Sequence, residues 1–301
     1  MQAERTIARN RPTILLKRMD SANLPTVKLN PVVFTDLDGT LLDINTYSYL
    51  KALPAVKYLQ SKGIPIIFCS SKTREEQEVY RRELNINDPF VVENGGAILI
   101  PHRYFSFDFE FTKSENKYQI IELGIHYHEI RRILEKLRAE IGIDFRGFGE
   151  MSTEEIAEKT GLNLEAAKRA RAREYSDSLS IEGAQQDIDY ILGAIKQAGL
   201  NYAAGARYYS VMGPNDKGKA VKILSSFFRK KLGHAKTIAL GESSNDVSML
   251  SEVDIPVLVQ MPGGLWQEID LPNLYRVEGV GPLGWTRAID EIFRVECFDP
   301  L

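Results

Sequence analysis

Cysteine is scarce in this 301-residue chain, which contains only Cys69 and Cys297. Two cysteines so far apart provide neither a disulfide framework nor the paired spacing of a zinc site, so we expect a protein of the reducing cytoplasm. Long apolar runs are also missing, and none approaches the roughly 18 residues of a membrane span. The net charge is −3, so there is no overall positive charge to favour a nucleic-acid partner.

The composition is that of an ordinary soluble protein, with 44% hydrophobic and 26% charged residues. The length allows one large domain or two modest ones with a sizeable core. Residues 1–30 carry several arginines and lysines but no apolar segment long enough for a secretory signal. We predict that they form a disordered tail, and we see no feature that requires an obligate protein partner.

A short apolar run at residues 32–35 ends in two carboxylates, Asp36 and Asp38, which are followed at once by Gly39. The run is β-branched and aromatic and too short for a helix, so it predicts a strand buried on both faces, as in a parallel sheet. Ligands of such sheets lie beyond the carboxyl ends of the strands, where both aspartates would emerge. Two carboxylates this close favour a divalent cation such as Mg²⁺, which prefers carboxylate and phosphate oxygens.

Strand and helix patterns alternate over residues 31–106 and again over 208–295. This alternation is typical of βαβ units and predicts a doubly wound α/β core with a parallel sheet. Between the two halves, residues 107–207 mix β-like runs with amphipathic helices and indicate an inserted α+β domain. We expect this insertion to act as a cap that closes over the site, excludes water and selects the substrate.

Three further polar clusters follow predicted strands or begin the next helix. Ser70 ends the second strand, where a hydroxyl and neighbouring N–H groups are suited to hold a phosphate. Lys217 begins a helix, where a positive charge is unfavourable against the macrodipole and indicates an anionic partner. Glu242 and Asp246 lie at another strand end and are suited to complete a Mg²⁺ shell. Taken singly, each cluster also fits a helix cap, a polar loop or a solvated lysine.

Together and in this order, the four clusters resemble the four motifs of the haloacid dehalogenase (HAD) superfamily, over about residues 31–295. The resemblance implies that Asp36 is the nucleophile that forms an aspartyl-phosphate and that Asp38 is the general acid and base. It also implies catalytic roles for Ser70 and Lys217. The implied Mg²⁺ ligands are Asp36, Asp38, Glu242 and Asp246. The family usually has aspartate at the position of Glu242, whose side chain reaches one methylene further.

Three stretches are similar to one branch of that superfamily, the mannosyl-3-phosphoglycerate phosphatases: residues 68–74, residues 92–98, and the cap segment from 148–151 to 172–176. The resemblance implies a Mg²⁺-dependent phosphatase that hydrolyses mannosyl- or glucosyl-3-phosphoglycerate, a small anionic substrate. Arginines next to Ser176 would recognise its carboxylate through bidentate hydrogen bonds. The residues expected to bind this substrate are Ser71, Lys72, Asn94, Arg171, Arg173, Ser176 and Asn245.

Two other interpretations stay open at this point. Sucrose- and trehalose-phosphate phosphatases share the expected architecture, so another sugar phosphate is a second candidate substrate. Residues 151–173 also look like a helix-turn-helix with a basic second helix, which would indicate a DNA-binding descendant, and Glu242 is the internal hint of a non-catalytic one. That segment lies within the cap, however, and Ser152 with Glu155 equally matches an ordinary capping box.

Overall fold

The structure, a computed structural model, describes residues 30–205 and 208–293. Residues 1–29 of the predicted tail, Arg207 of the predicted cap, and Cys297 lie outside the described residues. Within the described ranges, no helix has both the length and the apolar character needed to cross a membrane.

The elements follow one another along the chain with short connections. In order they are β1 (Asn30–Thr35), α1 (Leu53–Ser61), β2 (Ile66–Phe68), α2 (Arg74–Glu83), β3 (Phe90–Val92), β4 (Ala97–Pro101), β5 (Lys113–Glu115), β6 (Tyr118–Glu122), α3 (Tyr127–Ile141), β7 (Arg146–Gly147), α4 (Thr153–Thr160), α5 (Leu164–Arg171), β8 (Ser176–Ser180), α6 (Gln185–Gln197), β9 (Asn201–Ala204), β10 (Tyr209–Met212), α7 (Lys217–Leu232), β11 (Ala235–Gly241), α8 (Val247–Leu250), β12 (Ile255–Gln260), β13 (Tyr275–Val280) and α9 (Pro282–Phe293).

A parallel sheet in the order β13-β12-β11-β1-β2 forms the centre of the core. A parallel bridge between Cys69 and Val91 continues this sheet to β3. Because β1 lies between β2 and β11, the chain winds outward from it in both directions, and the carboxyl ends of the central strands meet at one edge. The predicted doubly wound α/β core is confirmed.

Alternate residues of β1 enter two separate hydrophobic layers, one on each face of the sheet. Val33 packs in the layer that contains residues of α1 and α9. Val32 and Phe34 pack in the opposite layer, which contains residues of α7 and α8. A strand covered by helices on both faces needs apolar side chains at every position, which explains the unbroken apolar run before Asp36.

An antiparallel sheet in the order β3-β4-β6-β5 adjoins the parallel one. Residues 113–122, which we predicted to belong to the cap, therefore join the core, because residues 118–122 pair with β4 and residues 113–115 pair with β6. A second antiparallel sheet has the order β7-β8-β10-β9, so Tyr209–Met212 pairs with cap strands although we assigned it to the core. Both boundaries differ from the predicted ones because an apolar strand in the sequence does not reveal its pairing partner.

Two chain segments connect the core to the cap, and they run side by side. A Cβ added to Gly213 would lie 2.8 Å from Ile125 Cγ1, and one added to Gly124 would lie 3.0 Å from Asn215 Oδ1. Such separations are too close for ordinary Cβ contacts, so glycine at each position allows the two connections to touch.

Candidate active site

The first loop of the site follows β1 and turns back sharply. Gly39 has φ +76°, and a Cβ there would lie 3.2 Å from Cγ of Glu242. A side chain at this position would be strained and would press on the neighbouring acidic loop. Glycine therefore allows the loop after Asp36 to lie directly against the loop after β11, and the two loops bring their carboxylates together.

Lys217 links the two acidic loops from the start of α7. Its Nζ donates to Asp36 Oδ1 and to Asp246 Oδ1, both at 2.7 Å, and all three residues are buried. Burial alone would lower the pKa of Lys217, but Asp246 and Asp36 raise it above its ordinary value. This lysine thus stays charged in the interior and partly neutralises two carboxylates.

Three carboxylates surround the space beside Lys217. Among the described residues, Asp36, Glu242 and Asp246 each offer an oxygen, and these oxygens lie within 4.8 Å of one another. Burial, together with repulsion from Asp246 and Asp36, raises the pKa of Glu242 to about 8. Burial also raises the pKa of Asp36, against the attraction of Lys217.

This donor set fits a divalent cation. Three carboxylates facing one lysine leave an excess of negative charge, which the raised pKa values express, and a hard cation relieves that repulsion. Asp38, also predicted as a ligand, does not belong to this group of described carboxylates. The oxygen of Glu242 nevertheless reaches the cluster, so its extra methylene does not remove it from the site.

Asp38 is paired with a different cation. Its Oδ2 lies 3.0 Å from Nζ of Lys72, which also lies 3.5 Å from Oε1 of Glu76. The ring of Tyr47 covers the same ammonium group at 4.8 Å. Oδ1 of Asp38 is buried and has no hydrogen-bond partner among the described residues, so one oxygen of this carboxyl remains available to a bound molecule.

A cavity of about 660 Å³ opens between the acidic loops and the cap. This volume lies within the range of ligand-binding clefts, roughly 300–1,000 Å³. Several residues predicted from the sequence line it: Asp36, Asp38, Ser71, Lys72, Asn94, Arg173, Glu242 and Asn245. Asn94 is almost fully buried, and within the part of the chain that the structure describes its Nδ2 has no hydrogen-bond partner, so a second polar atom at the cavity is left for a ligand.

Apart from Lys217 and Asp246 of the buried cluster, three predicted residues do not line the cavity. Ser70 is fully buried, its hydroxyl accepts a hydrogen bond from Lys72 N at 3.3 Å, and Ser71 lines the cavity instead. Arg171 is exposed and is not among the lining residues. Ser176 is buried and donates to Oε2 of Glu93 at 2.6 Å.

Glu93 was not singled out in the sequence, yet it joins the cap to the core. Its buried carboxylate accepts from the backbone N–H groups of Glu174 and Tyr175 at 2.8 and 3.0 Å, and from Ser176. Burial raises its pKa, against the attraction of Arg173. The left-handed backbone of Glu93, with φ +50°, aims this side chain toward the cap, and a glutamate before Asn-Gly-Gly was the available signal.

Arg173 completes this junction. Its Nη1 donates to the carbonyl oxygen of Ser71 at 2.9 Å and to Ser176 Oγ at 3.2 Å. The guanidinium therefore contacts the loop after β2 while it also lines the cavity. One arginine thus ties the predicted phosphate loop to the cap.

The helix pair that resembles a DNA-binding motif forms a wall of the cavity. Its two helices, α4 and α5, share a small apolar cluster that includes Ile156 and Ala167. Thr160, Leu162 and Ala170 line the cavity. The cap strands add Phe148, Ser178, Tyr208 and Ser210, which we did not predict. Only the alternation of β8 and β10 could have indicated them.

Comparison with known proteins agrees with this architecture. The family model of the haloacid dehalogenase-like hydrolases matches residues 33–261. A protein from Methanococcoides burtonii named glucosyl-3-phosphoglycerate/mannosyl-3-phosphoglycerate phosphatase is 45% identical over 262 residues, covering 87% of this chain and 96% of that protein. A mannosyl-3-phosphoglycerate phosphatase from Pyrococcus furiosus is 39% identical over 231 residues, covering 76% of this chain and 90% of that protein.

Among solved structures, the chain is similar to a Thermoplasma acidophilum protein with a TM-score of 0.63. The two share 17% sequence identity, and the match covers 89% of this chain and 100% of the other. At that level of identity the similarity establishes the fold, including both the core and the cap.

Proposed function

The chain belongs to the haloacid dehalogenase-like hydrolases, and from this membership we propose that it is a Mg²⁺-dependent phosphatase. Its proposed substrate is mannosyl- or glucosyl-3-phosphoglycerate, which it hydrolyses to the glycosylglycerate and phosphate. The names of the relatives that span most of both chains support this substrate.

One arrangement carries the proposal. The buried carboxylate of Asp36 lies at the tip of the central strand, 2.7 Å from Lys217, and lines a cavity covered by the cap. A carboxylate held in place by a buried lysine and opening on a cavity is suited to attack a bound phosphorus atom. A carboxylate whose role was only to balance the charge of Lys217 would not have to line the cavity.

In the first half of the reaction, Asp36 attacks the phosphorus and the bond to the substrate oxygen breaks. The leaving alkoxide takes a proton from the carboxyl group of Asp38, two residues along the same loop. Lys72 and Arg173 bring two positive charges to the lining of a cavity that must hold a phosphate and a carboxylate, and the buried Lys217 adds a third beside Asp36. The product of this half is an aspartyl-phosphate and the free alcohol.

In the second half, Asp38 takes a proton from a water molecule, which attacks the phosphorus and releases Asp36 and inorganic phosphate. Lys72 holds the Asp38 carboxylate at 3.0 Å and keeps it directed along the loop during both halves. Asp36, Glu242 and Asp246 would hold Mg²⁺, which when bound neutralises phosphate oxygens as charge develops.

Phosphate release from purified protein tests the proposal directly. We expect release from mannosyl- and glucosyl-3-phosphoglycerate with Mg²⁺, none with excess EDTA, and none from the Asp36→Asn variant. Sucrose-6-phosphate and trehalose-6-phosphate complete the substrate panel.

Release from the disaccharide phosphates alone would leave the chemistry standing and refute the substrate. Undiminished release by Asp36→Asn would refute the nucleophile. If folded protein released no phosphate from any of these esters, the phosphatase proposal itself would fail.

A further inference from the structure

One row of cap residues faces the cavity and carries no charge. The hydrogen-bond register of the cap sheet places Ser178 opposite Ser210 and Ser210 opposite Ala203. Phe148 extends the row on the other side, because its N–H donates to the carbonyl oxygen of Ser178 at 3.0 Å. All four residues line the cavity, and we refer to them as the cap row.

We propose that the cap row, together with Tyr208 beside it, is the glycosyl subsite of this enzyme, in which Ser178 and Ser210 hydrogen-bond sugar hydroxyls while Phe148 and Tyr208 contact the ring. The inference rests on the proposed function and extends it by assigning the sugar to named residues.

One face of the cap sheet packs against helices, and the other faces the cavity. Leu179 and Val211 point away from the cavity and are buried in the apolar cluster formed with α3 and α6. Their neighbours Ser178 and Ser210 point the opposite way, as strand alternation requires. The helix-covered face therefore holds the cap together, and the serine face is left for a ligand.

The hydroxyl of Ser210 lacks a hydrogen-bond partner among the described residues. Among the described residues, its Oγ is one of a small number of buried side-chain atoms without a partner. Leaving such a group unpaired costs on the order of 1–3 kcal/mol, so a buried hydroxyl facing a cavity indicates a polar ligand there.

Aromatic rings bound the row at one end. Phe148 and Tyr208 meet edge to face with their centroids 5.1 Å apart, and both line the cavity. Tyr208 lies two residues before Ser210 and so faces the same side of the sheet. A surface with hydroxyls beside an apolar wall matches a hexopyranose, which presents hydroxyls at its rim and C–H groups on its faces.

The row also differs in charge from the rest of the cavity. The charged lining residues include Asp36, Lys72, Glu76, Arg173 and Glu242, and none of them belongs to the cap row. Phosphate and carboxylate groups are matched by that charged part, whereas a neutral glycosyl group is matched by serine, alanine and phenylalanine. The charged part of the cavity thus matches the charged groups of the substrate, and the neutral cap row matches its glycosyl group.

The test compares two substrates in Ser178→Ala, Ser210→Ala and the double variant. For glucosyl- and mannosyl-3-phosphoglycerate we expect kcat/KM to fall about 3- to 10-fold in each single variant, as for the loss of one neutral hydrogen bond, and further in the double variant. For p-nitrophenyl phosphate, which has no sugar, we expect kcat/KM to stay within twofold of the wild-type value.

Ser180→Ala is the matched control, since it removes a hydroxyl from the same strand at a position that does not line the cavity. It should leave both substrates unaffected. Because Ser210 Oγ has no hydrogen-bond partner in residues 30–205 and 208–293, Ser210→Ala should not lower the melting temperature, which separates a ligand contact from a structural role.

Equal losses with both substrates, or no loss with either, would overturn the glycosyl subsite and leave the proposed function intact. A wild-type protein that hydrolyses p-nitrophenyl phosphate but neither glycosyl-3-phosphoglycerate would instead refute the proposed substrate, and the subsite with it.

Discussion

The two sides of the cavity are built on opposite principles. On the core side, charged groups are buried and paired with one another, as Lys217 is with Asp36 and Asp246. On the cap side, the cap row is small and neutral, and its one buried unpaired hydroxyl belongs to Ser210. Chemistry on the phosphate needs fixed charge in a site of low dielectric, whereas recognition of a sugar needs shape and single hydrogen bonds.

Removing the positive charge of Lys217 should produce the largest effect, because the paired charges of the core side depend on it. In Lys217→Met, two buried carboxylates lose their cation. We expect the free energy of unfolding to fall by about 3–5 kcal/mol, as when one partner of a buried ion pair is deleted. We expect kcat to fall by on the order of 10²–10³-fold. Urea denaturation in EDTA and phosphate release with Mg²⁺ measure the two quantities.

Lys219→Met is the matched control, because Lys219 lies in the same first turn of α7 but is exposed. Its loss should cost less than about 1 kcal/mol. If both variants lost the same stability, the burial of Lys217 would not be the cause.

The acidic cluster predicts a dependence of metal binding on pH. The pKa of Glu242 is raised to about 8 in the folded protein, so below that pH the metal competes with a proton. We expect the apparent affinity for Mg²⁺ to be about tenfold or more weaker at pH 6 than at pH 8. Titrating Mg²⁺ while following the melting temperature measures this affinity.

In the metal-free protein, by contrast, a rise in pH should lower the stability of the fold. A carboxyl group whose pKa is raised on folding stabilises the folded state at low pH, and that contribution disappears as pH rises toward the folded pKa. The metal-free protein should therefore lose stability between about pH 4 and pH 8 through Glu242 and Asp36. Glu242→Gln should flatten this decline, and an unchanged slope would contradict the assignment.

A smaller effect should come from the junction between the two sides. In Glu93→Gln, an amide NH₂ replaces an oxygen that accepts hydrogen bonds from the cap backbone, so one N–H group is left unpaired. We expect a loss of about 1–3 kcal/mol in stability. We also expect kcat/KM for the glycosyl substrate to fall about tenfold, and more than for p-nitrophenyl phosphate. Equal losses would indicate a junction that stabilises the fold without aligning the cap.

The smallest effect is expected at Arg171, which lies two residues before Arg173 in the sequence. Arg171→Ala should change kcat/KM by less than about twofold, as is usual for an exposed position with no special role. Arg173→Ala removes a cavity-lining group that also donates to Ser71 and Ser176, and it should cost about tenfold or more. Steady-state kinetics on the glycosyl substrate measures both, and equal effects would contradict this assignment.

The core side could be predicted from the sequence because the end of each buried strand can be recognised there. An apolar run that stops at a charged residue indicates where a buried strand leaves the sheet, and parallel strands all end at one edge. Asp36, Glu242 and Asp246 were located in this way, Lys217 was located by its position at the start of a helix, and the structure brings all four together. The fold class followed from the same alternation of strands and helices.

The rest of the cavity lining could not be predicted to the same depth, because it depends on which of two nearby residues faces the cavity. Ser70 and Ser71 are consecutive, and consecutive residues of an extended chain point to opposite faces. The sequence does not show which of the two faces the cavity, and the structure places Ser71 there. Arg171 and Arg173 look equivalent in the sequence and differ in burial. β10 was assigned to the wrong sheet because pairing joins residues that are distant along the chain.

The touching connections at Gly124 and Gly213 have an evolutionary consequence. Because the chain leaves the core and returns to it at adjoining points, the intervening segment can be exchanged for another without altering the path of the strands that carry the acidic loops. A lineage can then acquire a new cap by recombination while it inherits its catalytic apparatus unchanged. The same adjacency gives protein engineers two natural splice points for grafting a foreign cap onto this core.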